Sequence, residues 1–188
     1  NDRVTEDNCI DTYMFWELDV LETLILPKSV TKIKNHAFNN CDKLNRVVIG
    51  DNTKSIGAKV SHDSPKLEEV ILLCNEAPAT DDNAWFEDNH IKMFYTPNSY
   101  RDQISGNRAY YTRGDSIASP FEDDALMRAL AEKRIYTMYD LVGLNDVENL
   151  IKGSSSVKRF NELAMAIAVR ELGDNSLCYC INLEEVTL

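Results

Sequence analysis

Residues 21–27 read L-E-T-L-I-L-P, residues 44–50 read L-N-R-V-V-I-G, and residues 67–73 read L-E-E-V-I-L-L. The three stretches align without gaps, and Leu21, Leu44 and Leu67 are separated by 23 residues and then 23 again. Between the first two runs S-V-T-K-I-K-N-H-A-F-N-N-C-D-K-L, in which Val30, Ile33, Ala37, Phe38, Cys41 and Leu44 punctuate a polar background. The next unit keeps Ile56 and Val60 in step but has Thr53, Ser61 and Ser64 where Val30, Phe38 and Cys41 stood, so it reads as a degraded copy. A more distant copy closes the chain. There Val169, Leu172, Ser176, Leu177, Cys180, Leu183, Val186 and Leu188 match Val30, Ile33, Ala37, Phe38, Cys41, Leu44, Val47 and Ile49 at a constant offset of 139.

A fixed period of this length means stacked units sharing one interior. Each L-x-x-L-x-L stretch predicts a short strand whose alternate side chains point inward. The rest of the unit returns the chain to the next strand and adds its own apolar residues to the same interior. Burial of each aliphatic side chain contributes roughly 1.5–3 kcal/mol, so one unit alone is insufficient and neighbours must stack. Cys41 and Cys180 read as small buried hydrophobes.

The run L-E-T-L-I-L-P-K-S-V-T-K-I-K-N-H-A-F-N-N-C resembles the BspA-like leucine-rich repeats, common in surface proteins of Bacteroidetes and found in some parasitic protists. The resemblance covers 21–44, 44–73 and 169–188. Residues 76–104 are similar to the terminal unit of such arrays, with Ala84 and Trp85 after a proline loop, a strand ending at Tyr95 and Pro97, and a closing helix from Tyr100. The resemblance implies an α/β leucine-rich-repeat solenoid of parallel short strands and 23-residue coils, with a small helical segment and the start of a second array. It also implies an extracellular or cell-surface protein that binds other proteins or adheres, with no catalysis and no cofactor.

Along the chain this gives an N-terminal cap or decayed unit in 1–20, where Tyr13, Met14, Phe15, Trp16 and Leu18 cluster. Repeats with their cap follow in 21–114, a helical linking segment in 115–165, and one uncapped repeat in 166–188. In the linking segment, Ser119 and Pro120 predict the cap and first position of a helix carrying Leu126, Met127 and Leu130. Further helices are predicted over 140–150 and from Val157 to about Val169. The final strand, 183–188, has no cap after it; the expectation is a piece of a longer protein, or self-association by strand addition. The opening N-D-R-V-T-E-D-N is not a secretory signal, so any such signal is expected to have been removed.

The 188 residues carry 31 acidic and 20 basic side chains, a net charge of −11, which repels phosphate backbones and argues against nucleic acid. No apolar run of about 18 residues exists to span a membrane. The cysteines (Cys9, Cys41, Cys74, Cys178 and Cys180) are odd in number and lack C-x-x-C spacing, so neither a disulfide framework nor a zinc site is suggested. His36, His62 and His90 have no i,i+4 partner and read as solvated surface residues. Asp81–Asn83 and 122–124 lack calcium-loop spacing and read as a turn and a helix start. A hydrolase would need paired carboxylates facing one cleft, and none can be placed together.

The candidate site is a ladder. One outward position per strand falls on Ile25, Val48, Ile71 and Tyr95, spaced about 4.8 Å apart across neighbouring strands. The adjoining row is Thr23, Arg46, Glu69 and Met93. This strip is either covered by the helical segment or presented to a partner, since exposed apolar stripes mark contacts. The alternative to a binding protein is a structural spacer with no ligand of its own.

Overall fold

The periodicity produces two parallel ladders, one on each side of a shared apolar interior. A computed structural model describes residues 8–80, 91, 93–101, 116–118, 121, 123–137, 140–141, 151–160, 182 and 184–186. The strands are β1 (Cys9–Ile10), β2 (Thr23–Ile25), β3 (Lys32–Ile33), β4 (Arg46–Ile49), β5 (Ser55–Ile56), β6 (Glu69–Leu72), β7 (Ala79–Thr80), β8 (Met93–Tyr95), β9 (Ser116–Ala118), β10 (Arg159–Phe160) and β11 (Glu185–Val186). Helix α1 spans Asp124–Ala131. The chain divides into two compact units, Asn1–Ala118 and Ser119–Leu188.

In the first unit one sheet has the order β2-β4-β6-β8-β9 and the other β1-β3-β5-β7, all parallel. Thr23, Arg46, Glu69, Met93 and Ser116 share one row of the larger sheet; Ile25, Val48, Ile71, Tyr95 and Ala118 share another. The rows advance by 23, 23, 24 and 23 residues, so the ladder runs on past residue 114 to β9. Leu24, Val47 and Val70 point into the interior from this sheet, and Ile10, Ile33 and Ile56 meet them from the other. Phe38, Cys41 and Leu44 lie fully buried between. Where a closing helix is expected from Tyr100, a 3-10 turn spans Asn98–Tyr100, and Tyr100 joins the interior. Ala84, Trp85 and the turns at Gly106 and Gly114 lie outside the described residues.

The segment before Leu21 is built as a repeat. Ile10, Met14, Phe15, Leu18 and Leu21 precede Ile33, Ala37, Phe38, Cys41 and Leu44 by 23 residues each, and all of them pack on the common interior. The Phe15 amide donates to the Ala37 carbonyl at 2.8 Å, as the Phe38 amide donates to that of Val60 at 2.8 Å. Each unit also turns at the same places. Tyr13, His36 and Lys59 have φ of 59°, 57° and 51°; Glu17, Asn40 and Asp63 have 54°, 58° and 57°. These two left-handed positions per repeat redirect the chain between its two strands, and non-glycine residues adopt them at a cost of roughly 1–2 kcal/mol each.

The second unit departs from the expected helix boundaries. Asp123, not Ser119, caps α1: its Oδ1 accepts from the amides of Ala125 and Leu126 at 2.7 and 3.2 Å. A carboxylate at the start of the helix is a strong acceptor and complements the helix dipole, and Phe121 is buried ahead of the helix instead of riding on it. Leu126, Met127 and Leu130 form the buried face, as their spacing predicts. At Asp140 a capping box forms. Its carboxylate accepts from the Thr137 amide and hydroxyl, and the Thr137 hydroxyl accepts from the Asp140 amide. Only Asp140 and Leu141 of that predicted helix are described.

The third predicted helix does not start at Val157. The serines of 154–156 turn the chain, Val157 is buried, and Arg159–Phe160 form β10, parallel to β11. The strand is favoured because Glu184 donates its amide to the Lys158 carbonyl at 2.8 Å, extending the β10–β11 pairing. Of the C-terminal repeat, only Asn182 and 184–186 are described, so its alignment from Val169 to Cys180, like Leu183 and Leu188, lies outside the described residues.

Candidate interaction surface

A row in register need not be a row in water. Ile25 is 42% exposed, but Val48, Ile71 and Tyr95 are 1%, 0% and 7% exposed. The expectation of a continuous exposed apolar strip is therefore corrected: it is open at β2 and closed from β4 onward. Adjacent β-branched and aromatic side chains on neighbouring strands lose most when left hydrated, and burial of each contributes about 1.5–3 kcal/mol. In the adjoining row Thr23 is exposed, while Arg46 and Glu69 are half-buried and joined by a 2.6 Å contact from Nε to Oε2. The Met93 side chain lies outside the described residues.

Exposure of large apolar side chains falls in the first described coil. Tyr13, Trp16 and Val20 are 53%, 49% and 82% exposed, and with Ile25 they are the large apolar side chains left open to solvent among the described residues. Trp16 meets Tyr13 edge-on, with centroids 6.2 Å apart. Tyr13 stacks on His36 at 5.5 Å, and the His36 ring lies 6.3 Å from that of His62. His36 and His62 are thus half-buried ring partners, in place of the freely solvated residues expected; His90 lies outside the described residues. The sequence treated residues 13–18 as one apolar cluster. Carrying the 23-residue offset back would have sorted them, because Phe15 aligns with inward Phe38 whereas Tyr13 aligns with His36 and Trp16 with Asn39.

The thiols are placed for packing. Cys9, Cys41 and Cys74 are buried thiols. The Cys41 Sγ lies 3.1 Å from the Phe15 carbonyl, and that of Cys74 lies 3.4 Å from the Gly50 carbonyl. Burial pushes the Cys41 thiol above its ordinary pKa, a hydrogen bond to the Leu18 backbone opposes this, and the charges of Asp19 and Asp42 add to the rise. A nucleophilic thiol needs the opposite surroundings. Asp123 and Asp124 belong to the α1 cap, and no cluster of three or more metal-ligating side chains occurs among the described residues. Asp81–Asn83, Cys178 and Cys180 lie outside them. Among the described residues no helix is long and apolar enough to cross a membrane.

The repeated sequence has a counterpart among known families. The model of a family described as "BspA type Leucine rich repeat region" matches residues 8–117 in six copies. No curated protein and no solved structure matches the chain.

Proposed function

Because the chain belongs to the BspA-type leucine-rich-repeat family, we propose that it is a non-catalytic protein-binding module of an extracellular or cell-surface protein, its repeats wound as a solenoid and used in adhesion. The observation that supports this reading is the exposure of Tyr13, Trp16, Val20 and Ile25, while the other large apolar side chains among the described residues are withdrawn. Aromatic residues half in water are what protein interfaces use as anchors. Thr23, in the same strand as Ile25, is also exposed, and Arg46 and Glu69 continue its row half-buried.

One observation favours a second reading. Burial of Val48, Ile71 and Tyr95 removes most of the sheet-face strip from any partner, as a spacer without its own ligand would do. Immobilised folded chain, challenged with surface extracts and purified matrix proteins, separates the two. A binding module retains a protein saturably and loses it on urea unfolding. Retention no greater than that of an unrelated acidic domain leaves the spacer.

A further inference from the structure

We propose that a groove on the outer face of the β1-β3-β5-β7 sheet binds an acidic saccharide, a sugar ring carrying a carboxylate or a sulfate. Its volume is about 480 Å³, inside the roughly 300–1,000 Å³ of small-ligand sites. Thr12, Lys32, Lys34, Asn35, His36 and Ser55 line it, so three successive coils contribute. β3 is flanked by β1 and β5, and Lys32 stands level with Cys9 on one side and Ser55 on the other. Ile33 turns into the interior, so by strand alternation its neighbours Lys32 and Lys34 take the outer face.

The groove is rich in hydrogen-bond donors. Lys32 is exposed and has no ion-pair partner among the described residues, while Lys34 is held by Asp11. Gly57 has no room for a side chain because Asn35 crosses it, and the Ala58 amide donates to the Asn35 Oδ1 at 3.0 Å. With its oxygen engaged, Asn35 keeps its amide hydrogens to give, and the Thr12 and Ser55 hydroxyls add further donors. Tyr13 stacks on His36, ring centroids 5.5 Å apart, and steadies the imidazole at the groove wall.

An unneutralised ammonium among neutral donors selects an anion through charge-assisted bonds. A bare inorganic anion would engage Lys32 and leave the hydroxyls and the amide unmatched, whereas a sugar ring brings hydroxyls of its own. A protein segment docks through apolar anchors seated in pockets, and the apolar side chains at this groove, Ile33 and Ile56, are 0% and 1% exposed. The groove lies on the other sheet from Ile25, so it stands independently of the protein-binding reading.

The test titrates the whole chain calorimetrically, at low salt, with glucuronate, a glucose sulfate, glucose, inorganic sulfate and a short glutamate–glycine peptide. At least one acidic sugar is expected to bind about tenfold or more tighter than glucose, the bare ion or the peptide, with the preference shrinking in high salt. Which of the two sugars binds tells carboxylate from sulfate. Lys32→Ala should remove the preference with the melting temperature unchanged, whereas Lys43→Ala, an exposed lysine outside the groove, should leave it intact. Amide NMR shifts on adding the sugar should fall on residues 32–36 and 55–57. No binding by either acidic sugar, glucose binding equally, or shifts confined to other residues overturns the proposal. Inorganic sulfate binding as tightly as the sugars overturns it in favour of an adventitious ion only, and the peptide doing so overturns it in favour of an acidic protein segment. Affinity for the acidic sugar unaffected by Lys32→Ala also overturns it.

Discussion

Ser64 occupies, one repeat later, the slot held by Cys41, and it bonds back to its predecessor: its Oγ accepts from the Cys41 amide at 3.1 Å and donates to the Phe38 carbonyl at 3.3 Å. Thr53 does the same at the slot of Val30, donating to the Val30 carbonyl at 3.1 Å. Thr53, Ser61 and Ser64 are all buried. The unit that looks eroded in sequence is stitched to its neighbour by polar contacts between buried groups.

Removing those stitches should cost unequally. Ser64→Ala leaves a buried amide without its side-chain partner, so a loss of about 1–3 kcal/mol is expected. Thr53→Val conserves shape and removes a bond from a carbonyl only, so about 1 kcal/mol or less is expected. Urea denaturation of both variants checks the order, and an equal effect would mean the Cys41 amide is satisfied elsewhere.

Cys41 gives a pH signature. Burial, ahead of the charges of Asp19 and Asp42, raises its thiol above the ordinary value of 9.0. Below that value both states hold the proton and stability is unaffected by it. As pH rises through it, the unfolded chain loses a proton that the folded chain keeps, so folding loses stability. Cys41→Ser should flatten the decline in urea midpoint between about pH 8.5 and 10.5 relative to the parent. The same burial should keep Cys41 from reacting with iodoacetamide in the native protein at pH 8.

The repeat was legible because its signal is spacing, and the rows Thr23–Arg46–Glu69 and Ile25–Val48–Ile71 fall where the aligned leucines put them. Exposure was not legible. Alternation tells which side of a sheet a residue occupies, but it does not tell whether that side is wet, so Ile25 and Val48 look alike in sequence and differ in burial. The second ladder was missed for a different reason. Its strands are two residues long, and in Lys32–Ile33 or Ser55–Ile56 a single apolar residue carries no period. Turn positions such as Lys59 were hidden because lysine has no left-handed preference, so only the register with Tyr13 and His36 marks them. Ser119–Pro120 misled because a good capping pair was followed by a better one, Asp123, which also receives the Lys158 amide at 2.8 Å.

Gly57 should tolerate no side chain. A Cβ there would lie 2.6 Å from the Asn35 amide nitrogen and 2.9 Å from the Lys34 carbonyl carbon, besides striking the Asn35 side chain. That side chain is not free to yield, since its Oδ1 accepts from the Ala58 amide at 3.0 Å. Gly57→Ala is expected to cost about 1–3 kcal/mol, read as a lowered melting temperature. Gly153 is the control: its added Cβ meets nothing within 4 Å, but its φ of +76° makes any loss one of backbone strain alone, about 1–2 kcal/mol.

Charged substitutions along the outer row separate structural from interaction roles. Val48→Asp and Ile71→Asp place a carboxylate where the native side chain is 1% or 0% exposed, and Arg46 in the adjoining row already serves Glu69. Each should lower stability by about 3 kcal/mol or more, since an unpaired buried charge is among the costliest single changes. Ile25→Asp, at 42% exposure, should change stability by about 1 kcal/mol or less. Thermal melts of the three variants decide it. If Val48→Asp and Ile71→Asp melt with the parent, the outer face of β4 and β6 opens to water in solution, and the sheet-face strip becomes the leading candidate for partner contact.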